Sequence, residues 1–118
     1  MKPITDIDTF LKRFNNFIDA EFRSIEIISA TTMKITFATQ DEARAFDWLS
    51  IDLEFSGITD AKLLDDSKLS FVDMQDGITL LNENGNTAFG IGKYTISSIT
   101  DSICYIKAST LKYKEGQF

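Results

Sequence analysis

Apolar residues recur at spacings of three and four near the start of the chain. Ile7, Phe10, Leu11, Phe14, Phe17 and Ile18 fall on one helical face, and Lys12, Arg13, Asn15 and Asn16 on the other. The spacing predicts an amphipathic helix over 5–19. Thr5 is a suitable N-cap, Asp8 three residues on makes a near capping box, and Pro3 precedes the helix, where its missing amide does no harm.

From residue 22 the period changes to two. "FRSIEII" and "MKITFAT" predict a hairpin across 22–39, followed by a polar connection at 41–46. "WLSIDLEFSG" alternates clearly: Leu49, Ile51, Leu53 and Phe55 face one way, and Trp48, Ser50, Asp52 and Glu54 the other. Gly57 suggests a turn or bulge. "TDAKLL" at 59–64 and "KLSFVDM" at 68–74 read as further strands joined by the turn "DDS". "GITLLNENGNTAFGIG" predicts a hairpin closed by Asn84-Gly85, a pair that tolerates positive φ. "YTISSITDSICYIKAS" predicts another, turning near Thr100-Asp101, with the tail extending its last strand. One helix and about eight short strands joined by tight turns give an α+β fold in a single domain, 1–118. The N-terminal helix packs on a curved, mostly antiparallel sheet, as a half-barrel or as two layers.

Composition narrows the chemistry. The chain has 118 residues, 43% of them hydrophobic, with ten phenylalanines, enough for one aromatic-rich core. No apolar run approaches the roughly 20 residues of a membrane span, and the first residues lack the apolar core of a secretory signal. The single cysteine, Cys104, forms no internal disulfide. A cytoplasmic protein without membrane attachment is the expectation. Histidine is absent, which removes the commonest general base near neutral pH, both serine and cysteine triads, and histidine-based zinc sites. Carboxylate chemistry and hard-metal sites stay open.

The acid-rich stretches carry neither of these well. "DMQDGITLLNE" has the wrong spacing for a calcium loop, and Asp76-Gly77 is turn chemistry. Asp52 and Glu54, with β-carbons about 7 Å apart on one strand face, are spaced for a pair of glycosidase carboxylates, but any solvent-facing strand shows the same pattern. "GIG" at 90–92 has no following helix and no third glycine. Cys104, between Ile103 and Tyr105, reads as a small buried apolar residue. No metal or cofactor is expected, and the chain reads as non-enzymatic.

Charge is uneven. The net charge is −6, and ten of the eighteen acidic residues lie between 41 and 76, against three bases, Arg44, Lys62 and Lys68. That segment carries −7 and the rest of the chain +1. Such a field repels nucleic acid and attracts basic partners. Trp48 breaks the polar face of its strand, so it is either packed under another element, the favoured reading, or an exposed binding anchor.

Two stretches resemble a known group. "FIDAEFRSIEI" at 17–27 and "LEFSGITDAKL" at 53–63 are similar to the opening and to the Phe-Gly strand of small bacterial domains related to immunity protein 50 of polymorphic toxin systems. Asp19, Ala20 and Glu21 match the opening and Gly57 and Asp60 the strand, while Ile18 stands where the group has histidine. The resemblance implies a non-enzymatic α+β domain, one that neutralises a toxin. Trp48, Asp52, Glu54 and Asp60 are then the candidate contacts to a basic protein, and Asp52→Lys with Glu54→Lys is expected to weaken binding. The alternatives are a small-molecule or carbohydrate binder, in a cleft lined by Trp48 and tyrosines, and a subunit of a homodimer paired through a sheet edge.

Overall fold

The computed structural model describes residues 1–118. Seven strands form one open antiparallel sheet: β1 Lys2–Pro3, β2 Glu21–Ser29, β3 Thr32–Asp41, β4 Asp47–Lys62, β5 Ile78–Glu83, β6 Asn86–Ile91 and β7 Tyr105–Gln117. The order is β2-β3-β4-β7-β6-β5, with β1 added to β7, so β2, β5 and the two-residue β1 are edges. The helix α1, Ile7–Arg13, precedes β2. No helix is long and apolar enough to cross a membrane.

The helix is shorter than its apolar stripe. Asp6, not Thr5, is the N-cap: its carboxylate accepts from the Thr9 amide at 3.1 Å and the Thr9 hydroxyl at 2.8 Å. After Arg13 the chain enters a 3-10 turn, Asn15–Phe17, in which all three residues have positive φ. The stripe survives the break. Phe10, Phe14 and Phe17 are buried, and Phe17 meets Phe37 of β3 at 5.4 Å between ring centres.

Three expected strands are absent as such. "TDAK" continues β4: Gly57 takes φ +67° without ending the strand, and the register to β7 shifts between Ile58 and Asp60. The ladder to β7 runs on through Ser56–Thr110 and Ile58–Ala108, and a Cβ at Gly57 would overlap the Ser109 hydroxyl. "KLSFVDM" is instead a 3-10 turn, Asp66–Phe71, in which Leu69 is buried and Phe71 is 85% exposed. Burial of Leu69 and Met74 with partial burial of Val72 is not a two-residue period. The expected first strand of the last hairpin is a string of turns up to Asp101. Its hydroxyls bind the local backbone: Ser98 accepts from the Thr95 amide, and Ser102 bridges Ile91 and Cys104. Side chains that satisfy their own backbone compete with a strand ladder.

The hairpins β2–β3 and β5–β6 form as expected, the latter through Asn84 (φ 53°) and Gly85 (φ 82°). Inside β4, Leu49, Ile51, Leu53 and Phe55 are all buried. Five phenylalanines are completely buried: Phe14, Phe17, Phe37, Phe55 and Phe89. Each adds about 2–3 kcal/mol of apolar burial.

Candidate functional site

The register of β4 decides what its acids present. Asp52 lies between Thr36 of β3 and Lys114 of β7, and the Thr36 hydroxyl donates to it at 2.7 Å. Glu54 lies between Lys34 and Lys112. Lys34 also pairs with Glu26 at 3.1 Å, and that hydrogen bond, with Asp52 and Glu54 nearby, raises its pKa. Asp60 lies beyond the register shift, opposite Lys107, and accepts from the Tyr105 hydroxyl at 3.0 Å. That hydrogen bond pushes the tyrosine pKa up. The three acids all stand on the face away from the core, but lysines from two neighbouring strands alternate with them. The −7 segment of the sequence is not a −7 surface.

Asp41 leaves that surface altogether. It is fully buried at the end of β3. Arg13 donates to it from Nε at 2.9 Å and Nη2 at 2.7 Å, and the Ala43 amide adds a third bond at 2.9 Å. The Arg13 guanidinium holds the Asp41 carboxyl below the ordinary aspartate range. Arg13 also reaches Glu115 at 2.6 Å, and Arg44 reaches Glu115 at 3.0 Å and Asp41 at 3.5 Å. This four-residue network ties the end of α1 to β3, to the β3–β4 connection and to β7. Paired charge-assisted bonds of this kind fix geometry as well as adding energy.

The network braces a cleft of about 340 Å³. One wall is the left-handed turn after α1, with Asn15, Ile18 and Asp19; the other carries Glu42, Phe46 and Trp48. Six of the seven non-glycine residues with positive φ stand here: Asn15, Asn16, Phe17, Asp19, Ala45 and Phe46. The seventh, Asn84, belongs to a hairpin turn that favours it. Positive φ is unfavourable for alanine and more so for phenylalanine, and such strain concentrates at binding sites.

Three large aromatic rings are exposed around this end: Phe46 at 60%, Phe118 at 59% and Trp48 at 41%. Trp48 separates the first cleft from a second of about 300 Å³, lined by Arg44, Asp47, Glu115 and Phe118. Its ring packs on Phe118 at 5.6 Å, so it is both packed and accessible. Of the sequence candidates, Trp48 alone lines this site; Asp52, Glu54 and Asp60 do not.

Cys104 is completely buried, and burial pushes its thiol up to about 12. Burial thus favours the protonated thiol at neutral pH. No three carboxylate or thiol side chains come together as a metal site.

Sequence reasoning missed Arg13, Asp41 and Phe46. The helical period puts Arg13 on the polar face, and Asp41 is one of the ten acids of the −7 segment. The available signal was weak: an arginine rather than a lysine suits a two-pronged carboxylate contact. Nothing in "EARAFDW" announces left-handed backbone at Ala45 and Phe46. Comparison with protein-family models, with curated proteins and with solved structures returned no match to this chain. Residues in the stretches 17–27 and 53–63 have local structural roles here. Asp19 helps close the left-handed turn, its amide bonded to the Met74 carbonyl at 2.8 Å, and Gly57 takes positive φ within β4.

Proposed function

We propose that this chain is a non-enzymatic protein-binding domain that engages a basic segment of another protein through Phe46, Trp48 and Phe118. The observation that carries the reading is the exposure of three large aromatic rings at one end of the fold, one of them on strained backbone. Aromatic residues supply a large share of binding energy in protein interfaces.

Charge supports a basic partner. Arg13, Arg23 and Arg44 each pair with a carboxylate, whereas the exposed Asp19, Glu42 and Asp47 pair with no base. The uncompensated charge around the rings is therefore negative, which speeds encounter with a basic surface. An immunity-type inhibitor of a basic toxin, as the sequence resemblance implies, is a domain of this kind. In this reading the acidic contacts are Asp19, Glu42 and Asp47 at the end that holds Trp48, in place of Asp52, Glu54 and Asp60. A second reading, small-molecule binding, draws on the volume of the first cleft, which falls in the range of ligand pockets.

Selection from a displayed random peptide library on the immobilised protein tests the proposal. Basic peptides should be enriched, and Phe46→Ser should abolish their binding while circular dichroism stays native. Enriched peptides that bind Phe46→Ser unchanged would overturn it, as would the absence of any enrichment.

A further inference from the structure

We infer that the 340 Å³ cleft between the left-handed turn and Trp48 is a receptor for the guanidinium of an arginine side chain in the partner protein. The inference rests on the protein-binding surface proposed above and names what its central cleft takes.

Guanidinium groups already satisfy half of the rings and acids around this end. Arg13 lies over the Phe14 ring at 4.7 Å, and Arg23 over the Phe118 ring at 4.6 Å. Arg13 and Arg44 satisfy Asp41 and Glu115, and Arg23 satisfies Glu21. Within the cleft the account is incomplete. Phe46 and Trp48 carry no cation, and Asp19 and Glu42 bond to no base. The rings of Phe46 and Trp48 and the carboxylates of Asp19 and Glu42 thus line one opening whose own cation, Arg13, is already committed to Asp41 and Glu115.

A planar cation with several donors suits this set. It stacks on an aromatic face and donates in-plane to carboxylates. Arg13 cannot turn to fill the role, because Nε, Nη1 and Nη2 are all bonded to Asp41 and Glu115. Ammonium is a poorer fit, being a strongly hydrated point charge without a stacking face. Asp19 and Phe46 stand on backbone of positive φ, and any side chain already held in place lowers the ordering cost of binding.

Trp48 is the only tryptophan, so its fluorescence reports on the cleft. The probes are a short glycine-arginine peptide, its citrulline and lysine counterparts, and free L-arginine. The arginine peptide should change Trp48 emission saturably, with the citrulline peptide silent and the lysine peptide weaker. Asp19→Asn with Glu42→Gln should weaken the arginine peptide about tenfold, with the fold checked by circular dichroism. Equal response to arginine and citrulline peptides would overturn the guanidinium assignment and leave the protein-binding surface standing. So would silence from all peptides when library ligands still depend on Phe46. Free arginine binding as tightly as the peptide would overturn a protein partner as the source.

Discussion

Arg13 closes on Asp41 with two hydrogen bonds, 2.9 and 2.7 Å, joining the last residue of the helix to a carboxylate that has no exposed surface. Arg13 itself lines the cleft. Replacing Asp41 by Asn removes the buried charge and strips Arg13 of its main partner. We expect a loss of about 3 kcal/mol in urea unfolding, at the low end for a buried pair because the Arg13 side chain is 26% exposed and keeps Glu115.

The same pair predicts an acid dependence. The folded pKa of Asp41 lies below its ordinary 3.8, so the unfolded chain binds a proton more readily. Its contribution is fully present above the ordinary value and is lost as pH falls through the lower folded value. Urea titrations below pH 4 should show the wild type losing stability more steeply than Asp41→Asn.

Ala45→Gly should stabilise the fold by about 0.5–1 kcal/mol. Alanine at φ 54° carries left-handed strain that glycine does not, partly offset by the greater freedom of unfolded glycine. A higher thermal midpoint is the expected result. Unchanged peptide binding would place the recognition in the Phe46 ring rather than in the strain itself.

Gly57→Ala should cost at least about 2 kcal/mol, because φ is +67° and the new methyl meets the Ser109 hydroxyl. Adding Ser109→Ala should restore part of the loss. It relieves the clash but leaves the backbone strain, and denaturant midpoints of the single and double variants separate the two.

Asp52→Lys with Glu54→Lys should lower stability by roughly 1–2 kcal/mol at low salt, since Lys34, Lys112 and Lys114 stand directly across from them. Added salt should narrow the difference. Arginine-peptide binding read at Trp48 should be unchanged, in contrast to the expectation from sequence that these acids contact the partner.

Cys104 should resist a thiol reagent under native conditions and react fully in denaturant, since burial pushes its pKa up to about 12. Rapid native labelling would contradict the packing around it.

Much of the fold is legible because burial has a period. Leu49 to Phe55 alternate and are buried as the alternation requires; Phe10, Phe14 and Phe17 follow the helical stripe even where the helix gives way to a turn. Asn84-Gly85 fixes its hairpin locally. Where competing local bonds decide, the pattern misleads. The hydroxyls of Ser98 and Ser102 bind backbone where the pattern suggests a strand, and β4 runs on through Gly57 where its composition suggests an end.

The chain's sequence alone determined an α+β fold, a phenylalanine core and the absence of histidine chemistry, since these follow from composition and short-range periodicity. Tertiary structure alone decided which charges meet. Lysines at 34, 112 and 114 stand beside the strand acids because β3 and β7 flank β4, and Arg13 pairs with buried Asp41 across 28 positions of chain. It also brought the turn at Asn15–Asp19 against Phe46 and Trp48. Strand order and long-range pairing are set by the packing of the whole core, and no local pattern encodes them.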